Sequence, residues 1–359
     1  MPATIANMKV TVQTVADAAS VSLGTVSRVL RGDPSVSADN QERVQAAVKK
    51  LGYRPLRQRK ARAVKVGLEN KTVALLTLGL DRTLAELPIV ASVMHGIQEG
   101  LAREKARLML MNCPQPASIP RSLLDESIDG VIVKGAMQGD VLGSADPQLI
   151  KWLNGRPCVW FLGRPSGAPG DAVGANDWEV GAIAARHLVA CGHKKLAFLS
   201  PKPGHALFER RQAGFKAEAR ASGSTVKSLV STEKEWKLPL EPANRLETVQ
   251  RLIDRLLRLD GRPSAIFVPA DSVAVVVYRA LAERGLKVGE DISVISANNE
   301  LPLLNALYPS LTTIDVQAER IGELAVKQLA QRFPDNSETI ERNLDPRLVE
   351  GGSVKKLSK

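Results

Sequence analysis

Apolar residues near the amino terminus recur at the spacing of two short amphipathic helices within residues 11–30. A tight turn separates the two stripes, and Ser22 lies where the second helix would begin, a position suited to an N-cap. The pattern is that of a helix-turn-helix, whose second helix carries Thr25, Ser27 and Arg28 on its polar face. The apolar positions are Val12, Val15 and Ala16 in the first helix, Ala19 and Val21 at the turn, and Val26, Val29 and Leu30 in the second helix.

A third helix is predicted from Ser37, its N-cap, through Leu51, with Gly52 as the residue that ends it. A strongly basic stretch with few large apolar residues follows this helix, which is the composition of a linker. We therefore expect an all-α helix-turn-helix domain over residues 1–55 and a basic hinge or linker over residues 56–70. The apolar stripe of the third helix consists of Val44, Ala47, Val48 and Leu51.

From Thr72 onward, short apolar runs alternate with amphipathic helical patterns. This alternation predicts parallel α/β sheets, and the number of runs indicates two lobes over residues 71–350, followed by a C-terminal tail over 351–359. Ligands of such folds bind at the carboxyl ends of the strands, so a cleft between the lobes is the expected small-molecule site. The predicted strands are TVALLTLGL, RLMLMN, DGVIVKG, CVWFLG, LAFLS, AIFVPA and ISVISA, and the predicted helices lie near 88–104, 178–191, 209–222, 244–259 and 272–285.

The net charge of +11 is unevenly distributed along the chain. Residues 1–65 contain 12 Lys or Arg and 4 Asp or Glu, whereas the remaining 294 residues contain 37 and 34. The basic excess therefore lies on the segment that carries the helix-turn-helix pattern. A basic helix-turn-helix is typical of a domain that binds double-stranded DNA.

The three cysteines, Cys113, Cys158 and Cys191, are widely separated, a spacing that favours neither a disulfide framework nor a zinc site. The first residues lack the apolar run of a signal peptide, and no other run is long enough to span a bilayer. We expect a cytoplasmic protein without membrane contact, without a metal and without a cofactor.

The segment TVQTVADAASVSLGTVSRVL matches a family pattern, T-x-x-D-V-A-x-x-A-G-V-S-x-x-T-V-S-R-V-L, at most of its fixed positions. Thr14 replaces the usual Asp, which is expected to weaken the capping box of the first helix, and Ser20 replaces the usual Gly. LGYRP at 51–55, HLVACGHKKLAFLS, RRQAGF, SAIFVPADSVA and GEDISVIS are further landmarks in the same order. With these motifs the chain resembles the lactose-repressor (LacI/GalR) family of bacterial transcription regulators along nearly its whole length.

The resemblance implies a homodimeric DNA-binding regulator, with repression the commoner outcome in the family. Its lobes would have the fold of periplasmic sugar-binding proteins and bind a small effector, most commonly a sugar. An effector that prefers one conformation would then change operator affinity.

The resemblance also implies which residues contact DNA. Leu23 and Gly24, at the start of the recognition helix, would lie in the major groove, and Arg28 would be the best direct reader of a guanine. Arg28 as a phosphate-binding or solvated side chain stays an alternative. The remaining residues expected to contact the backbone or flank it are Thr11, Ser22, Thr25, Ser27 and Tyr53.

The hinge departs most from the family pattern, which continues after the proline as N-x-x-A-R-x-L. Leu56 replaces the Asn, and Arg59 and Lys60 replace the Ala and Arg, although an ARAV string follows at 61–64. Either the hinge is two residues longer, with Val64 as a smaller minor-groove wedge, or it binds mainly through charge. Binding would be strongly salt-dependent in both cases because five basic residues lie close together here, namely Arg54, Arg57, Arg59, Lys60 and Arg62.

The effector site implied by the resemblance centres on Arg211, three residues before Gly214 in the family's RxxG motif. A guanidinium suits vicinal hydroxyls or a carboxylate. The other expected ligand-binding residues are Asn176, Asp177, Phe208, Trp236, Asp271 and Asn298. Three alternatives stay open: a salt bridge from Arg211 to Asp271, a core position for Trp236, and a helix-start position for Asp177.

Two other classes of protein fit the sequence less well. An enzyme on a doubly wound fold is disfavoured because the chain contains no GxGxxG after the first strand, no P-loop, no GxSxG and no HExxH. The four histidines also lack metal-ligand spacing. A free periplasmic binding protein is disfavoured by the missing signal peptide and by the basic N-terminal domain.

Overall fold

The structure is a computed structural model that describes residues 11–30, 33, 36–53, 67–81, 87–125, 127–232, 237–240, 246–333 and 338–357. The chain divides into two compact units, residues 1–65 and residues 66–359. Each unit is built around its own buried apolar cluster or clusters.

The first unit contains three helices, Val12–Ala19 (α1), Leu23–Leu30 (α2) and Ala38–Leu51 (α3). The apolar stripes predicted from the sequence meet in one small cluster in which Val15, Val26 and Val44 are fully buried. Gly52 ends α3 in a left-handed conformation (φ +61°), as the sequence indicates. Ser37 precedes α3, but its side chain makes no capping hydrogen bond.

The two departures from the family pattern in α1 have clear structural outcomes. Thr11 Oγ1 accepts a hydrogen bond from the amide of Thr14 (3.4 Å), and Thr14 Oγ1 accepts one from the amide of Thr11 (2.9 Å). Thr14 therefore preserves the capping box that the missing Asp was expected to weaken. Ser20 ends α1 with φ +53°, a left-handed conformation in which a glycine carries no Cβ penalty.

The second unit contains two parallel sheets. Its strands are Thr72–Leu78 (β1), Arg107–Cys113 (β2), Gly130–Gly135 (β3), Cys158–Phe161 (β4), Asp171–Ala175 (β5), Lys195–Ser200 (β6), Thr225–Val230 (β7), Ala265–Phe267 (β8), Ser293–Ile295 (β9), Thr313–Asp315 (β10), Glu341–Leu344 (β11) and Arg347–Val349 (β12). The first lobe has the strand order β11-β5-β4-β3-β1-β2, and the second lobe has β7-β6-β8-β9. Within each of these sheets the neighbouring strands pair in parallel.

Helices follow most of these strands. They are Pro88–Arg103 (α4), Arg121–Asp125 (α5), Pro147–Asn154 (α6), Asp177–Ala190 (α7), Ala206–Ala221 (α8), Leu246–Leu257 (α9), Asp271–Ala282 (α10), Leu301–Leu304 (α11) and Ala318–Arg332 (α12). The predicted helices are confirmed to within a few residues, and α8 begins three residues earlier than the pattern indicates. A two-lobed α/β architecture is therefore confirmed.

Both lobes are completed by the C-terminal part of the chain. The edge strand β11 pairs with β5 in the first lobe, whereas β12 pairs antiparallel with β10. Ser353 is fully buried and donates a hydrogen bond to the carbonyl of Val294, while the amide of Leu357 donates to the carbonyl of Cys191 (2.8 Å). Residues 351–357, expected as a tail, are hydrogen-bonded to the second lobe.

Two helix pairs approach so closely that only glycine fits at the contact. A Cβ on Gly181 of α7 would lie 1.8 Å from the carbonyl oxygen of Arg211 in α8. In the first lobe, a Cβ on Gly96 of α4 would lie 2.1 Å from the carbonyl oxygen of Glu319 in α12. The first of these contacts fixes the distance between Arg211 and the amino-terminal end of α7, where Asp177 lies.

Candidate functional site

The exposed start of α2 is the surface that the resemblance assigns to DNA. Ser22, Leu23, Gly24 and Arg28 are exposed, whereas Val26 of the same helix is buried. Leu23 is 47% exposed. An exposed apolar side chain here is available to contact a base methyl group.

Hydrogen bonds within α2 occupy part of this face. Ser22 Oγ accepts a hydrogen bond from the amide of Thr25 (3.1 Å), so Ser22 caps the helix as the sequence predicts. The hydroxyls of Ser22 and Thr25 lie 2.9 Å apart. Among the described residues, the guanidinium of Arg28 has neither a hydrogen-bond partner nor a salt-bridge partner.

The remaining predicted DNA-contacting residues have varied positions. Thr11 is exposed at the start of α1, Ser27 is half-buried, and Tyr53 packs partly against the three-helix core. Arg57, Arg59, Arg62 and Val64 lie outside the described residues, and so do both alternatives for the hinge. The DNA contacts of the hinge therefore stay predictions.

A cavity between the two lobes of the second unit is the candidate effector site. About 90 Å³ of it can be occupied by water, and it is partly open to solvent. Residues at the carboxyl ends of β3 and β6 reach it from opposite lobes, the position at which α/β sheets bind ligands. Its lining residues are Leu80, Leu87, Ile89, Val90, Lys134, Met137, Gln138, Leu162, Lys202, His205, Leu207, Phe208, Arg211, Leu240, Ala270, Ser272 and Asn298.

Arg211 is held in place before any ligand arrives. Its Nε donates to Asp177 Oδ1 (2.8 Å), and its Nη1 donates to Asn298 Oδ1 (2.9 Å) and to the carbonyl of Pro269. Burial raises the pKa of Asp177, and the adjacent guanidinium opposes that rise. The salt bridge proposed as an alternative from Arg211 to Asp271 is wrong, because the partner of Arg211 is Asp177.

Asp271 instead organises the loop after β9. Its carboxylate accepts hydrogen bonds from the hydroxyl of Ser296, from Thr313 Oγ1 (2.7 Å) and from the amide of Glu300 (2.7 Å). It is fully buried and does not line the cavity, and burial raises its pKa. Asp271 therefore positions the 298–300 segment, of which Asn298 lines the cavity.

Asn176 and Asp177 are placed at the start of α7 and likewise do not line the cavity. The side chain of Asn176 caps the helix by accepting a hydrogen bond from the amide of Glu179 (3.2 Å). Asp177 is the first residue of the helix, as one alternative held, and it also pairs with Arg211. Phe208 lines the cavity, and Trp236 lies outside the described residues.

Two buried lysines line the cavity, and the sequence pattern indicated neither of them as a site residue. Burial lowers the pKa of Lys134 to about 7 and that of Lys202 to about 8. Lys134 Nζ donates to the carbonyls of Gly135 (2.7 Å) and Leu162 (3.4 Å). The available signal was a lysine at the end of an otherwise apolar strand, DGVIVKG.

Glu300 connects the two lobes beside this cavity. Its Oε1 accepts a hydrogen bond from the amide of Ile89 at the start of α4 (3.0 Å), and its Oε2 accepts one from the amide of Ser272 at the start of α10 (3.3 Å). Burial and the neighbouring Asp271 carboxylate raise the pKa of Glu300 to about 7. Gln138 makes a second connection between the lobes, from Nε2 to the carbonyl of Pro203 (2.8 Å).

His205 and Phe208 form one wall of the cavity. Their rings stack with centroids 4.0 Å apart, and the Nδ1 atom of His205 is buried without a hydrogen-bond partner. Burial lowers the pKa of His205 well below its usual value, with the cationic Lys202 and Lys134 contributing in the same direction. His205 is therefore neutral near pH 7.

No cluster of three or more His, Cys, Asp or Glu side chains in the described part of the chain is arranged to hold a metal ion. Across the same described ranges, none of the helices is both long enough and apolar enough to cross a membrane.

Sequence comparison decides the family. The profile described as bacterial regulatory proteins, lacI family, matches residues 11–55, and that of a periplasmic binding protein-like domain matches residues 185–354. The HTH-type transcriptional repressor PurR of Mannheimia succiniciproducens is 31% identical over 358 residues, 97% of this chain and 99% of the relative. The chain belongs to the LacI family of bacterial regulatory proteins. A second relative, the PurR repressor of Erwinia tasmaniensis, is 31% identical over 355 residues and covers 96% of each chain.

Solved structures of LacI-family proteins have the same fold as this family member. The complex of the transcriptional regulator CelR with cellobiose has a TM-score of 0.64 at 23% identity and covers 96% of this chain and 100% of its own. The lac repressor dimer bound to operator and the anti-inducer ONPF has a TM-score of 0.63 at 22% identity, over 97% and 100% of the two chains. An N-terminal helical region followed by a periplasmic-binding-protein-like domain is thus confirmed. The lacI-family profile and the PurR relatives identify this LacI-family protein as a DNA-binding transcriptional regulator.

Proposed function

We propose that this chain is a homodimeric repressor whose affinity for an operator is controlled by a small metabolite bound between the lobes. One observation carries the proposal: a cavity lined by buried charged side chains lies between two lobes of a chain whose other unit is a helix-turn-helix. The curated relatives are named as repressors, and solved family members contain cellobiose or ribose. A regulator of this kind acts in the bacterial cytoplasm and catalyses no reaction.

On this proposal, α2 enters the major groove with Leu23, Gly24 and Arg28 toward the bases. The exposure of these three residues supports that placement. Ser22, Thr25, Ser27 and Thr11 lie toward the phosphates, and Tyr53 flanks them. The basic hinge with Arg57, Arg59, Arg62 and Val64 adds contacts to the backbone or minor groove.

The effector occupies the cavity and contacts Arg211, Asn298 and Phe208 directly. Three further residues contribute without contacting the effector. Asp177 holds Arg211 in place, Asn176 caps the helix that carries Asp177, and Asp271 holds the 298–300 segment. A ligand that binds both lobes would favour one separation between them, and the coupling to DNA follows from that preference.

An apolar surface on the first lobe supports the homodimer. Strand β2 is the edge of its sheet, and Leu110 on it is 64% exposed. Leu108 of the same strand and Met94 and His95 of α4 line a shallow depression beside it. We propose that a second copy of the chain covers this edge, because a two-fold dimer presents two helix-turn-helix units to two half-sites.

Selection of DNA sites from a random library tests the regulatory function. The full chain should enrich one sequence with two-fold symmetry, and that site should be bound at least 10³-fold more tightly than random DNA. An enzyme of this fold would enrich no site. Sedimentation of Leu110→Lys should show monomers at concentrations where the wild type and the control Leu124→Lys are dimers.

A further inference from the structure

The basic side chains around the cavity are not all paired with a carboxylate. Arg211 is paired with Asp177, whereas Lys134 and Lys202 have no carboxylate within salt-bridge distance among the residues that the structure describes. Burial without such a partner lowers the pKa of both lysines to about 7 and about 8. An anion beside them would favour their charged forms and supply the missing partner.

The carboxylates that act on these lysines do not supply that partner: Asp177, which acts on Lys134, is paired with Arg211, and Glu300, which acts on Lys202, is engaged elsewhere. Its oxygens accept hydrogen bonds from the amides of Ile89 and Ser272 and from Asn298 Nδ2, and it lies outside the lining of the cavity. Lys134 Nζ is oriented by two backbone carbonyls, which leaves one of its three N–H donors for a ligand. Lys202 Nζ has no hydrogen-bond partner among the described residues.

The two lysines approach the cavity from opposite lobes. Lys134 lies at the end of β3 in the first lobe, and Lys202 follows β6 in the second. An anion between them would be held by both lobes at once, whereas a neutral sugar would leave both ammonium groups unpaired. The buried Nδ1 of His205, which has no partner, offers an additional polar contact.

We propose that the effector is a small acidic metabolite whose anionic group binds between Lys134 and Lys202, with its less polar body against Phe208. This inference rests on the proposed function and narrows the class of its ligand. A carboxylate and a phosphate ester share the required chemistry, since both accept charge-assisted hydrogen bonds from ammonium groups.

The first test uses inorganic phosphate and the full chain without DNA. We expect phosphate to raise the melting temperature in a saturable way, and Lys202→Met to weaken its binding roughly tenfold or more, since it removes a charge-assisted hydrogen bond. Lys134→Met should behave alike. Lys216→Met, an exposed lysine of α8, should leave phosphate binding unchanged. Equal phosphate binding in the wild type and both cavity variants would overturn the proposal.

Folding of the variants is not an obstacle to this test. Methionine is nearly as long as lysine and leaves no buried amine without a partner, so Lys202→Met should not melt below the wild type in the absence of anions. Lys134→Met also removes hydrogen bonds to the carbonyls of Gly135 and Leu162 and should lower the melting temperature modestly. If a variant nevertheless fails to fold, NMR titration of ¹³Cε-labelled lysines in the wild-type chain replaces it. Phosphate must then shift two lysine resonances with one binding curve, and the absence of such shifts would contradict the proposal.

The second test separates the two ligand chemistries. Glucose, gluconate and glucose 6-phosphate present one carbon skeleton in neutral, carboxylate and phosphate forms. We expect gluconate or glucose 6-phosphate to bind with higher affinity than glucose, and the tighter of the two identifies the preferred anion. A higher affinity for glucose than for both acids would overturn the proposal. These assays contain no DNA, so a failure here is distinct from a failure to select an operator, which would overturn the regulatory function instead.

Discussion

A Cβ on Gly214 would lie 1.9 Å from the carbonyl oxygen of Trp178, because α8 crosses α7 at this point with backbone against backbone. Gly214 lies about one turn after Arg211, and Trp178 directly follows Asp177, the two residues of the buried ion pair beside the cavity. The glycine of the RxxG motif is therefore a packing requirement that sets the position of the arginine.

We predict that Gly214→Ala destabilises the second unit by about 1–3 kcal/mol or more, because the two helices must separate to admit the methyl group. A shift of several degrees in melting temperature is expected for a unit of this size. Gly174→Ala is the matched control, since its nearest contact would be an ordinary 3.7 Å to Asn343. Equal melting temperatures for the two variants would show that α7 and α8 are not in backbone contact.

Gly24 in α2 gives the opposite expectation for stability. A Cβ there would meet no atom closer than Ser22 Oγ at 3.7 Å, so Gly24→Ala should stabilise the helix-turn-helix unit by about 0.5–1 kcal/mol. Its affinity for the selected operator should nevertheless fall, because the methyl group would occupy the groove-facing surface. Ser20→Gly serves as the control: it removes the Cβ from a residue in the left-handed conformation, so it should stabilise the helix-turn-helix unit without lowering operator affinity. Unchanged operator affinity for Gly24→Ala would contradict the proposed docking face.

Arg28 distinguishes base reading from phosphate binding. If it reads a base, Arg28→Ala should weaken binding to the selected operator by about 1–3 kcal/mol and leave random DNA nearly unaffected. Gel shifts with both DNAs measure this difference. Equal losses for both would assign Arg28 to a phosphate.

The basic hinge predicts a specific salt dependence. Replacing Arg57, Arg59 and Arg62 with Ala should reduce the slope of log affinity against log salt by up to about 0.9 for each phosphate contact removed. Titrations between low and physiological salt measure the slope. Arg258→Ala, in the second unit, serves as a control that also removes an arginine and should leave the slope as it is.

Glu300 predicts a pH dependence of stability. Its pKa of about 7 in the folded state lies above the usual value of 4.5. Between pH 4.5 and pH 7, Glu300 is therefore protonated in the folded state and ionised in the unfolded state. The stability from this proton is complete below pH 4.5 and is lost as pH rises through 7, up to about 3 kcal/mol in all. Glu300→Gln should remove this dependence.

Melting temperatures from pH 5 to pH 8 test the expectation for Glu300. The charged and titratable neighbours are Asp271, whose carboxylate raises the pKa of Glu300, and Lys202, whose charge attracts it. Both are present in the wild type and in the variant, so the difference between the two curves reports the titration of Glu300 together with its coupling to these two neighbours. A difference that does not fall with rising pH would show that Glu300 is ionised in the fold at pH 5.

The sequence predicted local elements well where an apolar period was strong. Helices α1 to α3 and the strands β1, β2, β3, β4, β6, β8 and β9 follow directly from that period. Strands β5, β7 and β10 were missed because they are short or largely exposed. Strands β11 and β12 were missed because ERNL and RLV are short, partly exposed and show no clear apolar alternation. Their partners are also distant in sequence, which no local pattern reveals.

The candidate site was predictable in part. Arg211, Asn298 and Phe208 were predicted as site residues and line the cavity. The partner of Arg211 was not predictable, because Asp177 and Asp271 are both acidic residues that begin helices, and only the crossing of α7 and α8 selects between them. Lys134 and Lys202 are brought together by the arrangement of two separate sheets.

The late position of β11 has a consequence for synthesis of the protein. The first lobe needs Glu341–Leu344 to finish its sheet, and the second lobe needs residues up to Leu357, whereas the three-helix unit is complete by Tyr53. At bacterial translation speeds the ribosome takes roughly 15–60 s to cover that interval. During that time a nascent chain has a complete helix-turn-helix and no finished effector domain, so control by a metabolite begins only when the last residues have emerged.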